Sequence, residues 1–451
     1  MKTLIKHSTV LTMDKEKNVY ADGYILFDEE KIYGTGPCQD LQGDKKVLVN
    51  GRLEEADMLV DGQQGILMPG MVNVHCHIPM VPFRSLGDDC PDRLRRFLFP
   101  LELEAMTPQL VYAATQYGVA ELLLSGVTSV LDMYYFEDEV ARACDHMGIR
   151  AWVGETVIGQ ETCDSKEPYG GLKLCRKLLT DWRGHSRIHP FVAPHATNTN
   201  SPEMLKAAWD LAREFDALCS LHVSEMDYEM DYFRQTYQKT PVRFLYDLGV
   251  LGPGTIGAHC IHVTSEDIRL LAETGTKVAH CVVANTKAGK GICPVKEMRE
   301  QGVTVGIGSD GPSSGNTLDL FTQLRMAACC QKTKYHDRSL FPTEELAELA
   351  TMGGAAVLGS ENQIGSLEPG KKADLVLIDT SAVNMFPVYD PYAAIVYAAN
   401  ASNVHSVWVD GRRLVENHRL TRQNLKSLRG QLEGEMKAFR ESAQKSAHVL
   451  R

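Results

Sequence analysis

Nowhere in the 451 residues does an apolar run approach the roughly 18 residues that a membrane-crossing helix needs. The opening stretch, MKTLIKHSTVLTMDKEKN, is interrupted by Lys6, His7, Asp14 and Lys15, so it has no apolar core of a secretory signal. No CxxC pair occurs, and 12 cysteines in 451 residues fall short of disulfide-scaffold density. Cys144, Cys219 and Cys260 sit in apolar helical or strand-like segments, the pattern of reduced, buried thiols in a cytoplasm. Basic stripes are also missing. Net charge is −11 and spread along the chain, which leaves no footprint for a phosphate backbone and argues against nucleic acid as a partner. There is no low-complexity linker and no fixed-period repeat. What is present is an ordinary globular balance, 44% hydrophobic and 23% charged, with ample material for a large core.

The first 60 residues read as short strands broken by Gly and Asp (TLIKHSTVLTM, GYILFDEEKIYGTG, KKVLVNGRL). After ILMPGMVNVHCHIPM, strand-like and helix-like stretches alternate. Helices are predicted over 107–126, 137–148, 201–216 and 265–275. Strands are predicted over 127–133, 150–158, 188–196, 218–225, 254–262, 277–283 and 303–310. With VNVHCH these make eight strands in βα alternation, the number a closed (β/α)8 barrel requires. The chain returns to β character in IGSLEPGKKADLVLID and VHSVWVDGRRLV, then ends in a charged helical stretch. The expected organisation is residues 1–66 and 364–418 together forming a small β-sandwich, 67–363 the barrel, and 419–451 a C-terminal helix.

Active groups of such barrels sit at the C-terminal ends of the strands. His75 and His77 close the first strand, and residues i and i+2 share a strand face, so both imidazoles can reach one ion. His195, His222, His259 and Asp310 close later strands. Any one of these histidines alone reads better as a hydrogen-bonded core residue. Together, in barrel order, they form a donor set suited to Zn²⁺ or Fe²⁺ rather than Mg²⁺. Cys76, between the first two histidines, points away from the ion by the same alternation.

The stretches LMPGMVNVHCHIPMVPFRSLGDD, LHVSE, AHCIHVTSEDIRLLAETGTKVAHC, VTVGIGSDGPSSGNTLDLF and LEPGKKADLVLID span most of the chain. Through them it resembles the amidohydrolase superfamily, and within it the deaminases and chlorohydrolases of the triazine-hydrolase and S-adenosylhomocysteine-deaminase branch. The resemblance implies a single divalent ion, Zn²⁺ with Fe²⁺ as alternative, on His75, His77, His222 and Asp310. The fourth strand, IHPFVAPH, lacks the lysine that bridges two ions in binuclear members.

An ion held there would bring the pKa of its water to about 7, making solvent the nucleophile. Asp310 can then take the water proton, Glu225 can protonate a ring nitrogen and pass a proton to the leaving amine, and His259 can stabilise developing charge. The blander readings are a solvated loop carboxylate for Glu225 and a core histidine for His259. The resemblance also makes His195 a substrate contact and Glu102, with Glu104 nearby, a ligand for ribose hydroxyls.

Two departures bear on substrate. CPDRLRRFLFPLELE has no Trp where adenosine-type relatives carry one, and HATN follows the strand-four histidine in place of HAPY. Either the base stacks on Phe97 or Phe99, or the substrate is not an adenine nucleoside. Arg93, Arg95 and Arg96 are either a solvated face or, at Arg93, recognition of an acidic or polar substrate group. Ser309, Ser313 and Asn285 can orient the site.

These readings predict a hydrolytic deaminase of a small amino-heterocycle, with S-adenosylhomocysteine or methylthioadenosine foremost. Guanine-, pterin-, cytosine- or triazine-type rings, or a chloride leaving group, are the alternatives. A homo-oligomer is expected by family analogy only. A non-catalytic scaffold is the competing class, and retention of every ligand together with Glu225 and His259 argues against it.

Overall fold

The computed structural model describes residues 1–446. The last residues of the expected C-terminal helix, 447–451, lie outside the described residues. The eight predicted barrel strands all form, as Met71–Cys76, Val127–Tyr134, Arg150–Val157, Ile188–Pro194, Cys219–Val223, Thr255–His259, Lys277–His280 and Val305–Ile307. They hydrogen-bond in chain order into one eight-stranded sheet. Its edges meet where Cys76 bridges Asp310 in parallel and the Asp310 amide donates to the His75 carbonyl at 3.0 Å. The result is a nearly closed parallel barrel. Every residue of the strands Met71–Cys76, Val127–Tyr134 and Arg150–Val157 is buried, as strands covered on both faces must be.

The helices start and stop where local chemistry directs. Ser201 accepts from the Met204 amide with Pro202 at the first helical position. Thr264 and Asp267 form a reciprocal capping box, and Gly275 ends that helix at φ 70°, in the left-handed region that suits glycine.

The chain divides into two compact units. One comprises Met1–Asn73, Glu121–Ser129 and Asp319–Arg422; the other comprises Val74–Ala120, Val130–Leu318 and the chain from Gln423. In the first unit both terminal segments build one nine-stranded sheet, so the expected partnership of the termini holds. Strand Ile66–Pro69, expected at the start of the barrel segment, runs parallel to Thr3–Leu11 and antiparallel to Leu375–Ile378, with Leu67 opposite Leu377. Alternation along the strands gives this sheet two apolar faces. Ile5, Ile25, Phe27, Leu375 and Trp408 pack on one side. On the other, Leu4, Leu26 and Tyr24 are covered by Val47 of the hairpin Lys46–Val49/Arg52–Glu55.

In the second unit the terminal helix Leu425–Ser446 packs on the short helix Phe99–Ala105. Phe439 meets Phe83 edge-on at 4.8 Å, and the Ser442 hydroxyl donates to Glu104 at 2.8 Å. No helix among the described residues is long and apolar enough to cross a membrane.

Candidate metal centre and substrate pocket

His75 and His77 leave the first strand on the same face, and their rings lie 4.9 Å apart. The His222 ring lies 4.9 Å from His75 and 5.5 Å from His77. One nitrogen from each of the three falls within 4.8 Å of the others, and the same holds for donor atoms of His75, His259 and Asp310. Asp310 Oδ1 stands 3.2 Å from His77 Nε2 and 3.8 Å from His75 Nε2. Two donors held about 2.1 Å from a common tetrahedral ion lie roughly 3.4 Å apart, so the cluster has the right span for one divalent cation. Strand Val305–Ile307 approaches closely enough to bring Asp310 there because Gly308 has no side chain. A Cβ at that position would sit 3.0 Å from the His75 Cβ.

The second nitrogen of several imidazoles is already committed. His77 Nδ1 bonds the Met133 carbonyl and His222 Nδ1 bonds the His195 carbonyl, both at 2.5 Å. His259 Nδ1 meets Asn285 Oδ1 at 2.8 Å. A carbonyl can only accept, so His77 and His222 carry a proton on Nδ1 and turn Nε2 inward, the arrangement that fixes histidine ligands to metals. Burial, then the neighbouring imidazoles, push His75 and His222 well below the ordinary histidine range, which keeps them neutral. Burial also disfavours charge on His77, yet its hydrogen bond and attraction to Asp310 win and raise it to about 9. In Asp310 the same bond and the surrounding imidazoles outweigh burial and hold the carboxyl well below its usual range. An ionised Asp310 beside the neutral imidazoles of His75 and His222 is the part of the cluster that favours a cation.

Backbone strain concentrates at the same place. Ser224, His259, Cys260 and Asp310 all have positive φ, at 50°, 70°, 45° and 59°. Left-handed backbone in such residues survives where the surroundings enforce it, and it clusters at functional sites.

The cluster lies at the floor of a cavity of about 320 Å³, within the range of small-molecule sites. Its lining includes Glu102, Phe99, His195, Glu225 and His259, each singled out from sequence. Phe99 and Glu102, three residues apart on one helix, share a face. Phe97 is buried in the core and Glu104 is exposed, and neither lines the cavity, whereas Phe99 and Glu102 do. The Tyr134 hydroxyl donates to Glu102 at 2.8 Å, and burial raises that carboxyl to about 7. Burial and the positive charge of His77 lower His195 to about 4, so it is a neutral imidazole, with its Nδ1 3.0 Å from the Thr199 hydroxyl.

Arg93 and Ser313 have a different place from the one expected. Arg93 lines the cavity, but its guanidinium donates to the carbonyl and hydroxyl of Ser313 and to Asp88. Ser313 is fully buried and does not line the cavity; Ser314 does. Asp88 also binds Lys287 at 2.7 Å and Asn316 at 2.7 Å, tying three loops at the rim. Arg95 is exposed, its guanidinium 4.1 Å from the centre of the Tyr228 ring.

Among the lining residues that escaped the sequence reading are Lys290 and Tyr228. The Lys290 ammonium donates to Glu225 Oε1, and the same oxygen lies 3.5 Å from His259 Nε2. Burial alone would raise the Glu225 carboxyl, but His259 and Lys290 outweigh it and keep it ionised, well below the carboxylate range. The only sequence signal for Lys290 is its place between two glycines.

With this geometry in hand, comparison with known proteins is decisive. Residues 66–414 match the amidohydrolase family. The chain belongs to that family. It is 38% identical over 423 residues, 92% of its length and 93% of the other, to a 5-methylthioadenosine/S-adenosylhomocysteine deaminase from Symbiobacterium thermophilum. It is 33% identical over 421 residues, 92% and 93% of the two chains, to a 5'-deoxyadenosine deaminase from Methanosarcina mazei. The crystal structure of an adenosine deaminase from Xanthomonas campestris with bound zinc superposes with a TM-score of 0.92 at 30% identity, covering 97% of this chain and 98% of that one. This amidohydrolase is thus a metal-dependent hydrolase of C–N bonds in cyclic amidines, and its His-rich cluster suits a divalent ion.

Proposed function

We propose that this amidohydrolase deaminates an adenine nucleoside modified at the 5' position, with one zinc ion on His75, His77, His222 and Asp310. The observation that carries the reading is the placement of Glu225, within the cavity and 3.5 Å from His259, beside the metal-binding cluster. When bound, the ion supplies Lewis acidity and brings water into its ionisation range near neutral pH. Glu225, ionised in the free chain, accepts the first proton of the attacking water and delivers it to the ring nitrogen next to the amine-bearing carbon. His259 donates to the oxygen as charge builds there. Asp310 takes the second proton from that oxygen and passes it to the amine. The C–N bond then breaks, and a carbonyl, a ring N–H and ammonia result.

At the other end of the cavity, Phe99 supplies a ring face for the base and His195 a neutral hydrogen-bonding imidazole, while Glu102 accepts from the ribose hydroxyls. Arg93 and Ser313 brace the wall. The relatives' names support the nucleoside over the guanine, pterin, cytosine and triazine alternatives. An ammonia-release screen across all five ring types checks it. Methylthioadenosine or 5'-deoxyadenosine should show the highest kcat/KM, and a decisive preference for any other ring would overturn the assignment.

Glu102 makes a separate prediction. A protonated carboxyl offers poorer acceptance to two hydroxyls than a carboxylate does. With its carboxyl at about 7 in the folded chain, the KM of the wild type should fall as pH rises through about 7. Glu102→Gln should raise KM about tenfold, the worth of one charged hydrogen bond, leave kcat nearly unchanged and abolish that pH step. The linked effect on folding has a definite sign. A carboxyl raised from 4.5 to about 7 holds a proton that the unfolded chain has released, so its contribution to stability is lost as pH rises between those values. Thermal melts of the two proteins across that window test this.

A further inference from the structure

The carboxylate of Glu225 is held by Lys290 and set beside His259, but the backbone that carries it needs an anchor of its own. Ser224, just before it, has φ 50°, a left-handed conformation that costs free energy in a residue other than glycine. Its carbonyl accepts from the amides of Ile261 and His262, both at 3.0 Å. On the other side of the turn stands Glu229, 3% exposed and absent from the reaction just described. Glu229 Oε1 accepts from the Ser224 amide at 2.9 Å, and Oε2 accepts from the Glu225 amide at 2.8 Å. The Thr197 hydroxyl donates to Oε1 as well.

Glu229 lies in the first turn of the helix Asp227–Tyr237, where a carboxylate ordinarily reaches back to the residue that caps the helix. The cap here is Met226, and both amides that Glu229 takes lie upstream of it. Capping also has no need of Thr197, which comes from the loop after strand Ile188–Pro194. Thr197 is the third residue of HATN, where the HAPY pattern has a proline with no donor. It follows His195 by two positions, and the His195 carbonyl receives the His222 amide at 3.0 Å. One buried carboxylate thus joins the turn that carries Glu225 to the segment that carries His195. Glu229 does not line the cavity, so any effect it has on the chemistry passes through Glu225.

We propose that Glu229 is a positioning residue for the deamination: it clamps the main chain of Ser224 and Glu225 so that the Glu225 carboxylate stays in reach of the ring nitrogen, and Thr197 locks that clamp to the His195 segment. A misplacement of about 1 Å in a reacting group costs about 10²-fold, so a main-chain clamp is worth a large rate factor. The proposal rests on the reading in which Glu225 moves the proton, and adds what holds it in place.

The test is a double-mutant cycle on the zinc-loaded enzyme, read as ammonia release from methylthioadenosine. Glu229→Gln keeps the volume but leaves one accepting oxygen in place of two. It should retain one equivalent of metal and an unchanged KM, while kcat falls at least about tenfold, the loss of a hydrogen bond to a charged group. Thr197→Val removes a single donor and should lower kcat about fivefold. In the Glu225→Gln background neither change should lower kcat further, because no proton-moving carboxylate is left to position. General destabilisation lowers kcat by the same factor in both backgrounds; that result overturns the proposal, as does an unchanged kcat or a loss of metal in Glu229→Gln. Full turnover by Glu225→Gln removes its proton role, and the proposal falls with it. Ammonia from another ring but none from methylthioadenosine contradicts the nucleoside assignment alone, and the same cycle on that ring still decides the role of Glu229.

Discussion

Purified His222→Ala and Asp310→Ala proteins should each contain far less than one equivalent of divalent metal and lose activity. Each change removes one of four convergent donors, and His222 enters the cluster with its inner nitrogen bare because Nδ1 is held by the His195 carbonyl. Loss of a metal's charge stabilisation, several kcal/mol, corresponds to at least about 10³-fold in kcat. For Asp310→Ala the loss is compounded, since the same carboxylate handles the second proton of the attacking water. Elemental analysis and ammonia release on one preparation separate the two effects, and a melting curve near that of the wild-type chain shows that the fold survives. Stoichiometric metal and full turnover in either variant would remove that residue from the site.

Glu225→Gln should behave in the opposite way with respect to metal. The residue lies three positions beyond His222, and its carboxylate faces Lys290 and His259 rather than the centre of the cluster. The variant should therefore retain one equivalent of metal and bind substrate, while kcat falls by at least about 10²-fold, the range of a lost proton-transfer group. The amide cannot take up and deliver the proton that the ring nitrogen needs. An unchanged kcat would mean that another group supplies it, and loss of metal would mean that Glu225 holds the centre together rather than moving a proton.

The contrast between those two variants reflects what periodicity encodes. The eight barrel strands and the convergence of His75, His77, His222 and Asp310 were legible because strand alternation and strand ends are local properties with fixed geometry. Lys290 was not, since a lysine between glycines reads as solvated, and only the left-handed backbone at Gly289 and Gly291 turns that loop toward Glu225. Glu102 was singled out from the sequence, whereas Phe99 could not be told from Phe97 until the start of the short helix was known. Arg93 stands out in the sequence, but its engagement with Ser313, 220 positions away, is tertiary information. The terminal strands were correctly paired across the length of the chain. Their assembly into one nine-stranded sheet depended on Ile66–Pro69 joining Leu375–Ile378, a register that no local pattern specifies.

Crystals of the zinc-loaded enzyme, with anomalous diffraction recorded on both sides of the zinc absorption edge, put the central claim to its most direct test. One strong peak per chain is expected, bonded to His75, His77, His222 and Asp310 together. A second peak of comparable strength in the cavity, or a single peak out of bonding reach of any of those four side chains, would contradict the account.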